Sequence, residues 1–254
     1  MNRTLFFARW LVRALLAATA AWTLAAAAQT PALDPEAVEL LRRSTNYLAG
    51  LKQFRADTQA SIEMVTSDGQ KLQFDQHVIV SVQRPNMMRT ERVGEIVKQS
   101  FYYDGKSLSV NLPDYGYYAT VAAPATLDAT LTFARDKLDV IAPAADLLYG
   151  NAFDLLSAGL TSAIFIGESV VAGVRCNHLA FRNAEVDWQI CIEQGAKPLP
   201  RKLVITSKRM AQSPQFAVVF DKWDTAPKFS AATFAFNPPK GARKVDWLPA
   251  AAKK

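Results

Sequence analysis

From residue 54 onward, apolar and polar side chains alternate along the chain, and this period of two constrains the fold more than any other feature. Two such stretches, 54–64 and 72–82, flank the turn-forming residues Ser67-Asp68-Gly69. Successive side chains of a β-strand point to opposite faces of a sheet, so each stretch predicts a strand with one apolar face. The two strands form an antiparallel hairpin. Its loop must have an odd number of residues if the two apolar faces are to coincide.

A second hairpin is predicted around Tyr103-Asp104-Gly105-Lys106. Asp-Gly is typical of two-residue type I′ turns, which join adjacent antiparallel strands. With this dipeptide at the centre of the turn, Phe101 lies opposite Leu108, and Tyr102 lies opposite Ser107. Apolar side chains then share one face and polar side chains the other, as a half-buried sheet requires.

Helical signals occur in two places. Asp34-Pro35-Glu36 combines an N-cap residue, a first-turn proline and an acidic residue, and predicts a helix that ends near residue 50. Within residues 125–160, Leu127, Leu131, Ala134 and Leu138 have helical spacing, and the run 144–160 predicts one or two further short helices with a break near Gly150. Later strands are predicted at residues 163–171, 174–182, 186–193, 201–208, 215–223 and 232–236. The fold class is therefore α+β, mainly β, with an antiparallel sheet covered by an N-terminal helix and a central helical segment.

The first 28 residues are typical of a secretory signal peptide. Arg3, Arg9 and Arg13 precede an uncharged apolar run, and Ala26-Ala27-Ala28 matches a small-residue cleavage site. A retained membrane anchor is the alternative, although the run is short for a span of about 20 residues. We expect a periplasmic protein with one domain at residues 29–250, a short polar tail at 251–254 and no transmembrane segment in the mature chain.

Composition and motifs argue against several functions. Cleavage would lower the net charge from +6 to +3, because residues 1–28 carry three arginines and no acid. The chain has no block of Lys and Arg, so we predict no nucleic-acid partner. H-E-x-x-H, G-x-S-x-G, P-loop and G-x-G-x-x-G motifs are absent from the sequence. His77 and His178 fall on polar strand faces and are interpreted as surface residues. We therefore predict no enzyme activity, no cofactor and no metal; a hydrolase with scattered carboxylates is the remaining catalytic alternative.

Cys176 and Cys191 are the only cysteines, and the segments around them predict a hairpin that turns at Asn183-Ala184. In the register that brings the two sulfurs together, Leu179 faces Trp188 and the polar residues share the other face. Opposed residues of an antiparallel pair lie within reach of a disulfide, and export exposes the chain to an oxidising compartment. We predict a Cys176–Cys191 disulfide, with two separate thiols as the alternative.

The apolar strand faces offer a candidate ligand site. One interpretation is that these side chains form an ordinary filled core. The other is that the face is incompletely filled and accepts an acyl chain. Each buried CH₂ group of such a chain contributes about 0.8 kcal/mol to binding. The candidate wall residues are Phe54, Ile62, Phe74, Val78, Val80, Phe101, Leu108 and Val110.

Several motifs together resemble the DUF2092 family of predicted periplasmic proteins. They are Arg84-Pro85 with Arg89, Tyr103-Asp104-Gly105-Lys106, Gly173, Cys176-Asn177-His178-Leu179-Ala180-Phe181, Asp187-Trp188-Gln189, Pro198-Leu199-Pro200, Lys202-Leu203-Val204-Ile205-Thr206 and Phe234-Ala235-Phe236-Asn237-Pro238-Pro239-Lys240-Gly241-Ala242. This family is similar in fold to the LolA/LolB lipoprotein-carrier superfamily. The resemblance implies a LolA-like domain, a curved antiparallel sheet forming an incomplete barrel whose mouth is plugged by helices.

The resemblance implies a function class but no residue roles. Proteins of this superfamily hold lipid or lipoprotein acyl chains in an apolar cavity, and related periplasmic regulators bind partner proteins. We therefore expect a non-catalytic carrier or sensor of a lipid or lipoprotein acyl chain. The alternative is a periplasmic protein-interaction or regulatory module with a filled core, whose partner is another envelope protein.

Overall fold

The computed structural model describes residues 33–247. The predicted signal peptide at 1–28 and the tail at 251–254 lie outside the described residues. The helices are α1 Pro35–Gly50, α2 Leu127–Lys137 and α3 Ala152–Ser157, with short 3₁₀ turns at Pro113–Tyr115, Ala145–Leu148 and Ala231–Thr233. The strands are β1 Gln53–Val65, β2 Lys71–Gln83, β3 Met87–Gly94, β4 Lys98–Tyr103, β5 Ser107–Leu112, β6 Tyr117–Ala122, β7 Ser162–Val171, β8 Val174–Arg182, β9 Val186–Glu193, β10 Pro200–Ser207, β11 Gln215–Asp224 and β12 Arg243–Lys244.

These strands form one twelve-stranded sheet in the order β12-β6-β5-β4-β3-β2-β1-β11-β10-β9-β8-β7. Every neighbouring pair is antiparallel except β12 and β6, which are parallel. The sheet is curved and does not close into a barrel. The predicted fold class, a mainly β α+β protein with helices covering an antiparallel sheet, is confirmed.

The helices pack against one face of this sheet, which we call the inner face. Leu41 and Leu48 of α1, Leu127 of α2 and Leu147 of the central 3₁₀ turn share a buried cluster with strand residues such as Phe54. The first helix begins as predicted, because the Asp34 carboxylate accepts a hydrogen bond from the Glu36 N–H. The same side chain also accepts one from the Phe165 N–H, which attaches the start of α1 to β7.

The first hairpin has the predicted pairing. Val65 pairs with Lys71 across a loop of five residues, 66–70. The loop is odd in length, so Ile62 lies opposite Phe74 and the two apolar faces coincide on the inner side.

The second hairpin is offset by two residues from the predicted register. Phe101 pairs with Val110, and Tyr103 pairs with Leu108. The predicted pairing of Phe101 with Leu108 is therefore wrong, although both side chains remain on the predicted face because the shift is an even number.

The physical reason is the position of Asp104. Its N–H donates to the Ser107 carbonyl, so Asp104 and Ser107 flank the turn and Gly105-Lys106 form its centre. The Asp104 carboxylate accepts hydrogen bonds from the Lys106 and Ser107 N–H groups, as Asx turns do. Gly105 adopts a φ of 88° at the first central position, a region that favours glycine.

The cysteine hairpin is offset in the same way and for the same reason. The Asn183 side-chain oxygen accepts hydrogen bonds from the Glu185 and Val186 N–H groups, so the turn is centred one residue later than predicted. His178 then lies opposite Cys191, and Cys176 lies opposite Glu193.

This offset makes the disulfide prediction wrong. Cys176 and Cys191 become diagonal neighbours, whose Cβ atoms stand roughly 7 Å apart in antiparallel sheets, whereas a disulfide needs about 3.8 Å. Both thiols are free and buried.

Three further segments differ from expectation. Residues 232–236 do not form a strand: Ala231–Thr233 is a 3₁₀ turn, and Phe234 is buried edge-on against Phe229. Phe236 packs on Tyr102 and Tyr118 on the outer face of the sheet, so aromatic packing rather than strand pairing orders this segment. Strands β3 and β12 were not predicted.

We expect the Asp104 cap to make stability depend on pH. Burial alone would raise the pKa of Asp104, but hydrogen bonds from Ser107 and Lys106 outweigh that effect and lower it. The stabilisation is therefore complete above the unfolded pKa of about 3.9 and is lost as the pH falls through the lower folded pKa. Asp104→Asn keeps an acceptor without the charge. Urea unfolding should show the wild type more stable than the variant at pH 7, with the gap closing near pH 3. A gap that stays constant with pH would contradict this assignment.

We also expect two free thiols. Burial raises the pKa of both Cys176 and Cys191, which disfavours the reactive thiolate. Without reductant, a thiol reagent should react slowly with the folded protein and with two groups after unfolding in urea. Cys191→Ser should reduce that count to one. A wild-type count near zero in urea would show that the bond forms after all.

Candidate functional site

The eight predicted wall residues lie in two environments on the inner face. Phe54, Leu108 and Val110 are buried, whereas Ile62, Phe74, Val78, Val80 and Phe101 are half-buried. Phe54 and Leu108 belong to the cluster that the helices cover, and Val80 and Phe101 pack against that cluster. Ile62, Phe74 and Val78 therefore lie at the margin where the helical cover ends.

Four half-buried side chains cross this margin in one line, which we call the open row: Ile205, Phe216, Ile62 and Phe74. Ile205 pairs with Phe216 across β10 and β11, Phe216 with Ile62 across β11 and β1, and Ile62 with Phe74 across β1 and β2. Towards the helices, the next pairs are buried, as with Val218 and Ala60. The open row is thus a continuous apolar strip that the helices leave partly exposed.

A cavity of about 160 Å³ adjoins the open row at Ile205. It lies between β9 and β10 on one side and the central helical segment on the other. Its lining is apolar apart from Asp146 and Asn183, and comprises Ala144, Leu147, Leu155, Leu156, Val186, Trp188, Leu203 and Ile205. A cavity of this size accommodates a group about as large as benzene.

Arg84 holds the central helical segment over the sheet. It follows β2, and its guanidinium donates to the Leu148 carbonyl at 2.7 Å and lies 4.0 Å from the Asp128 carboxylate of α2. Burial lowers the pKa of Arg84, and Asp128 partly offsets that effect. This contact connects the end of β2 to both parts of the helical cover.

Arg92 is the charged residue that the sequence reasoning missed. It lies on the inner face of β3, between Val78 of β2 and Gln99 of β4. It is half-buried, its Nε has no hydrogen-bond partner, and no carboxylate of residues 33–247 pairs with it. Burial lowers its pKa. The signal was an arginine at an apolar-face position, but β3 itself was not predicted.

The outer face carries most of the paired polar groups. His77 contacts the Asp57 carboxylate, and His178 contacts the Gln189 side chain, so both histidines lie on the polar face as predicted. A second cavity of about 240 Å³ lies here, lined by Ser169, Val170, Val171, His178, Gln189, Cys191, Lys202 and Val204. Within residues 33–247, no group of three or more His, Cys, Asp or Glu side chains could hold a metal ion.

No helix within the described part of the chain is long and apolar enough to cross a membrane.

Solved structures with a similar fold were found at low sequence identity. MucB in the Pseudomonas aeruginosa MucA/MucB complex is 12% identical, with a TM-score of 0.46 over 80% of this chain and 61% of that one. The chain thus spans about three fifths of the MucB chain that it matches. The Mycobacterium tuberculosis lipoprotein LppX is 14% identical, with a TM-score of 0.47 over 77% of this chain and 98% of that one. A LolA superfamily protein from Nitrosomonas europaea is 8% identical, with a TM-score of 0.39 over 79% and 97%.

No curated protein matches the sequence. A family match covers residues 37–248 and is described as a predicted periplasmic protein, DUF2092. The motifs and the match agree: the chain belongs to the DUF2092 family, and it is a periplasmic protein.

Proposed function

We propose that this protein is a non-catalytic periplasmic binding protein that holds the acyl chain of a lipid or lipoprotein against the inner face of its sheet. The observation that carries the proposal is the open row, a strip of four apolar side chains left half-exposed beside an apolar cavity. Binding of an acyl chain requires apolar surface and no reacting group, and the inner face supplies that surface.

The energetics favour an apolar ligand on this strip. Each CH₂ group removed from water contributes about 0.8 kcal/mol, so several methylenes against the open row offset a substantial part of the cost of association. The cavity beyond Ile205 accepts only a small group. Most of a long chain therefore lies along the open row, unless the central helices move away from β9 and β10.

We expect the open row to determine the affinity for acyl chains. Phe74→Ala removes a half-exposed ring from the row and should weaken binding of a fluorescent fatty acid about tenfold, the equivalent of roughly 1.4 kcal/mol. Val93→Ala is the matched control, because Val93 is exposed on the outer face of β3. The protein is expressed from its full-length sequence and purified from the periplasm. Its affinity is measured by titration with the fluorescent fatty acid, and any bound lipid is identified by extraction and mass spectrometry.

Two results would reject the proposal. One is the reproducible absence of both extracted lipid and fatty-acid binding. The other is equal weakening by Phe74→Ala and Val93→Ala, which would place the binding surface elsewhere.

A second function, binding of an envelope protein, is favoured by the edge of the sheet at β7. Among residues 33–247, this strand pairs with β8 on one side and, on the other, forms an isolated bridge between Leu33 and Ala163. Ile164, Ile166 and Val170 are exposed along it. Leu33 and Asp34 occupy the edge of β7 at Ala163 and Phe165. Beyond Phe165 the edge has no partner among residues 33–247, and such an edge with exposed apolar side chains is a template for pairing with another chain.

We expect a photo-crosslinker at Val170, in the free part of the β7 edge, to capture a specific envelope protein in cells if this second function holds. Ile96 is the control position, because it is similarly exposed but lies in the β3–β4 loop. Val170→Lys should abolish co-purification of the captured protein. Equal capture from both positions would indicate nonspecific contact and would count against this function.

A further inference from the structure

The inner face contains a group of polar side chains that have no hydrogen-bond partner among residues 33–247. Arg92 lies on β3, Gln99 lies opposite it on β4, and Gln76 lies on β2 opposite Gly94. All three side chains are half-buried on the face that the helices cover. None of them hydrogen-bonds to another group within residues 33–247. We call Arg92, Gln76 and Gln99 the donor cluster.

The unpaired state of Arg92 is unusual in this protein. Arg201 is similarly placed in a strand, but it donates to the Glu193 carboxylate, and Arg89 on the outer face of β3 donates to Glu91. Removing a guanidinium from water without supplying an acceptor destabilises the fold. A group retained at such a cost is a candidate for binding an external anion.

Gly94 brings β2 and β3 close together beside Arg92. It is two residues from Arg92 on the same face and pairs with Gln76. A Cβ at this position would lie 2.8 Å from the Gln76 Cβ, so only glycine allows β2 and β3 to approach this closely. The glycine therefore allows the Gln76 side chain to lie close to β3, next to Arg92.

The donor cluster adjoins the open row. Phe74 is two residues from Gln76 on the same face of β2, about 7 Å along the strand. From Phe74, the open row crosses β1 and β11 to Ile205 on β10, three inter-strand steps of about 4.8 Å each. A polar head and an apolar tail of one molecule can therefore contact the donor cluster and the open row simultaneously.

We propose that the donor cluster binds the oxyanion headgroup of an amphiphile whose acyl chain lies along the open row, an inference that rests on the proposed function. Arg92 supplies the positive charge and a planar set of N–H donors that match a carboxylate or a phosphate. The amide groups of Gln76 and Gln99 supply further N–H donors. The ligand class is thus an anionic, single-chain amphiphile rather than a neutral lipid.

The test compares three amphiphiles with the same chain: palmitate, hexadecyl phosphate and hexadecanol. Inorganic phosphate alone tests whether the headgroup binds without a chain. Calorimetric titration of the wild-type protein should show the two anions binding at least about tenfold more tightly than the alcohol, because charge-assisted hydrogen bonds contribute more than neutral ones. Preference between palmitate and hexadecyl phosphate identifies the headgroup as carboxylate or phosphate.

Variants assign the effect to the donor cluster. Arg92→Gln should weaken binding of the anions about 10- to 100-fold and leave hexadecanol binding unchanged. Arg55→Gln is the matched control, because Arg55 is an exposed arginine on the outer face of β1. Gln99→Leu retains the charge of Arg92 but removes one amide donor, so it should weaken anion binding by a smaller factor. Folding of each variant is checked by circular dichroism. If Arg92→Gln does not fold, Gln99→Leu serves as the second variant.

The outcomes separate the two proposals. If no amphiphile binds, the proposed function is rejected. If all three bind equally and the Arg92 and Gln99 variants retain that behaviour, acyl binding stands and the headgroup site is rejected. Inorganic phosphate that binds as tightly as hexadecyl phosphate would also overturn the inference, because the site would then recognise a free anion.

Discussion

The structure depends on burial of the inner face of a long antiparallel sheet. Within residues 33–247, strands β1 to β11 present apolar side chains to that face, and its helical cover comprises α1, α2, α3 and a central 3₁₀ turn. The cover is complete around Phe54 and Leu203 and ends at the open row. A sheet of this width cannot bury its whole apolar face against so few helices, and its curvature reduces the mismatch without removing it. The exposed strip is therefore a consequence of the ratio of strands to helices.

Hairpin register determines which side chains meet on that face. In two hairpins, Asp104 and Asn183 accept hydrogen bonds from the backbone of the turn and set the register two residues away from the simplest expectation. Because a shift of two keeps each side chain on its face, the apolar surface survives while individual neighbours change. For this reason Cys176 and Cys191 do not lie opposite each other, since each faces a different residue.

The sequence alone predicted the fold class, the start of α1, the central helices and the odd loop of the first hairpin. These features depend on local signals, namely capping residues, period and turn composition. It also predicted eight candidate wall residues on one face. Which of them are core and which line the margin could not be predicted, because that division depends on where helices distant in sequence come to lie. Strand β3 was not predicted, because arginines interrupt the alternation of apolar and polar side chains along it.

The alternation of side chains determined by itself that this chain forms a half-buried antiparallel sheet, and the family motifs identified its relatives. Only the tertiary structure decided that Arg92, Gln76 and Gln99 lie next to an apolar strip without side-chain partners in the described part of the chain, and that Cys176 and Cys191 are diagonal neighbours. The period of apolar residues and the helix-capping residues are properties of neighbouring positions in the chain, so both can be recognised in the sequence. Burial, register and missing partners depend on strands brought together from opposite ends of the chain, and they exist only once the sheet has formed.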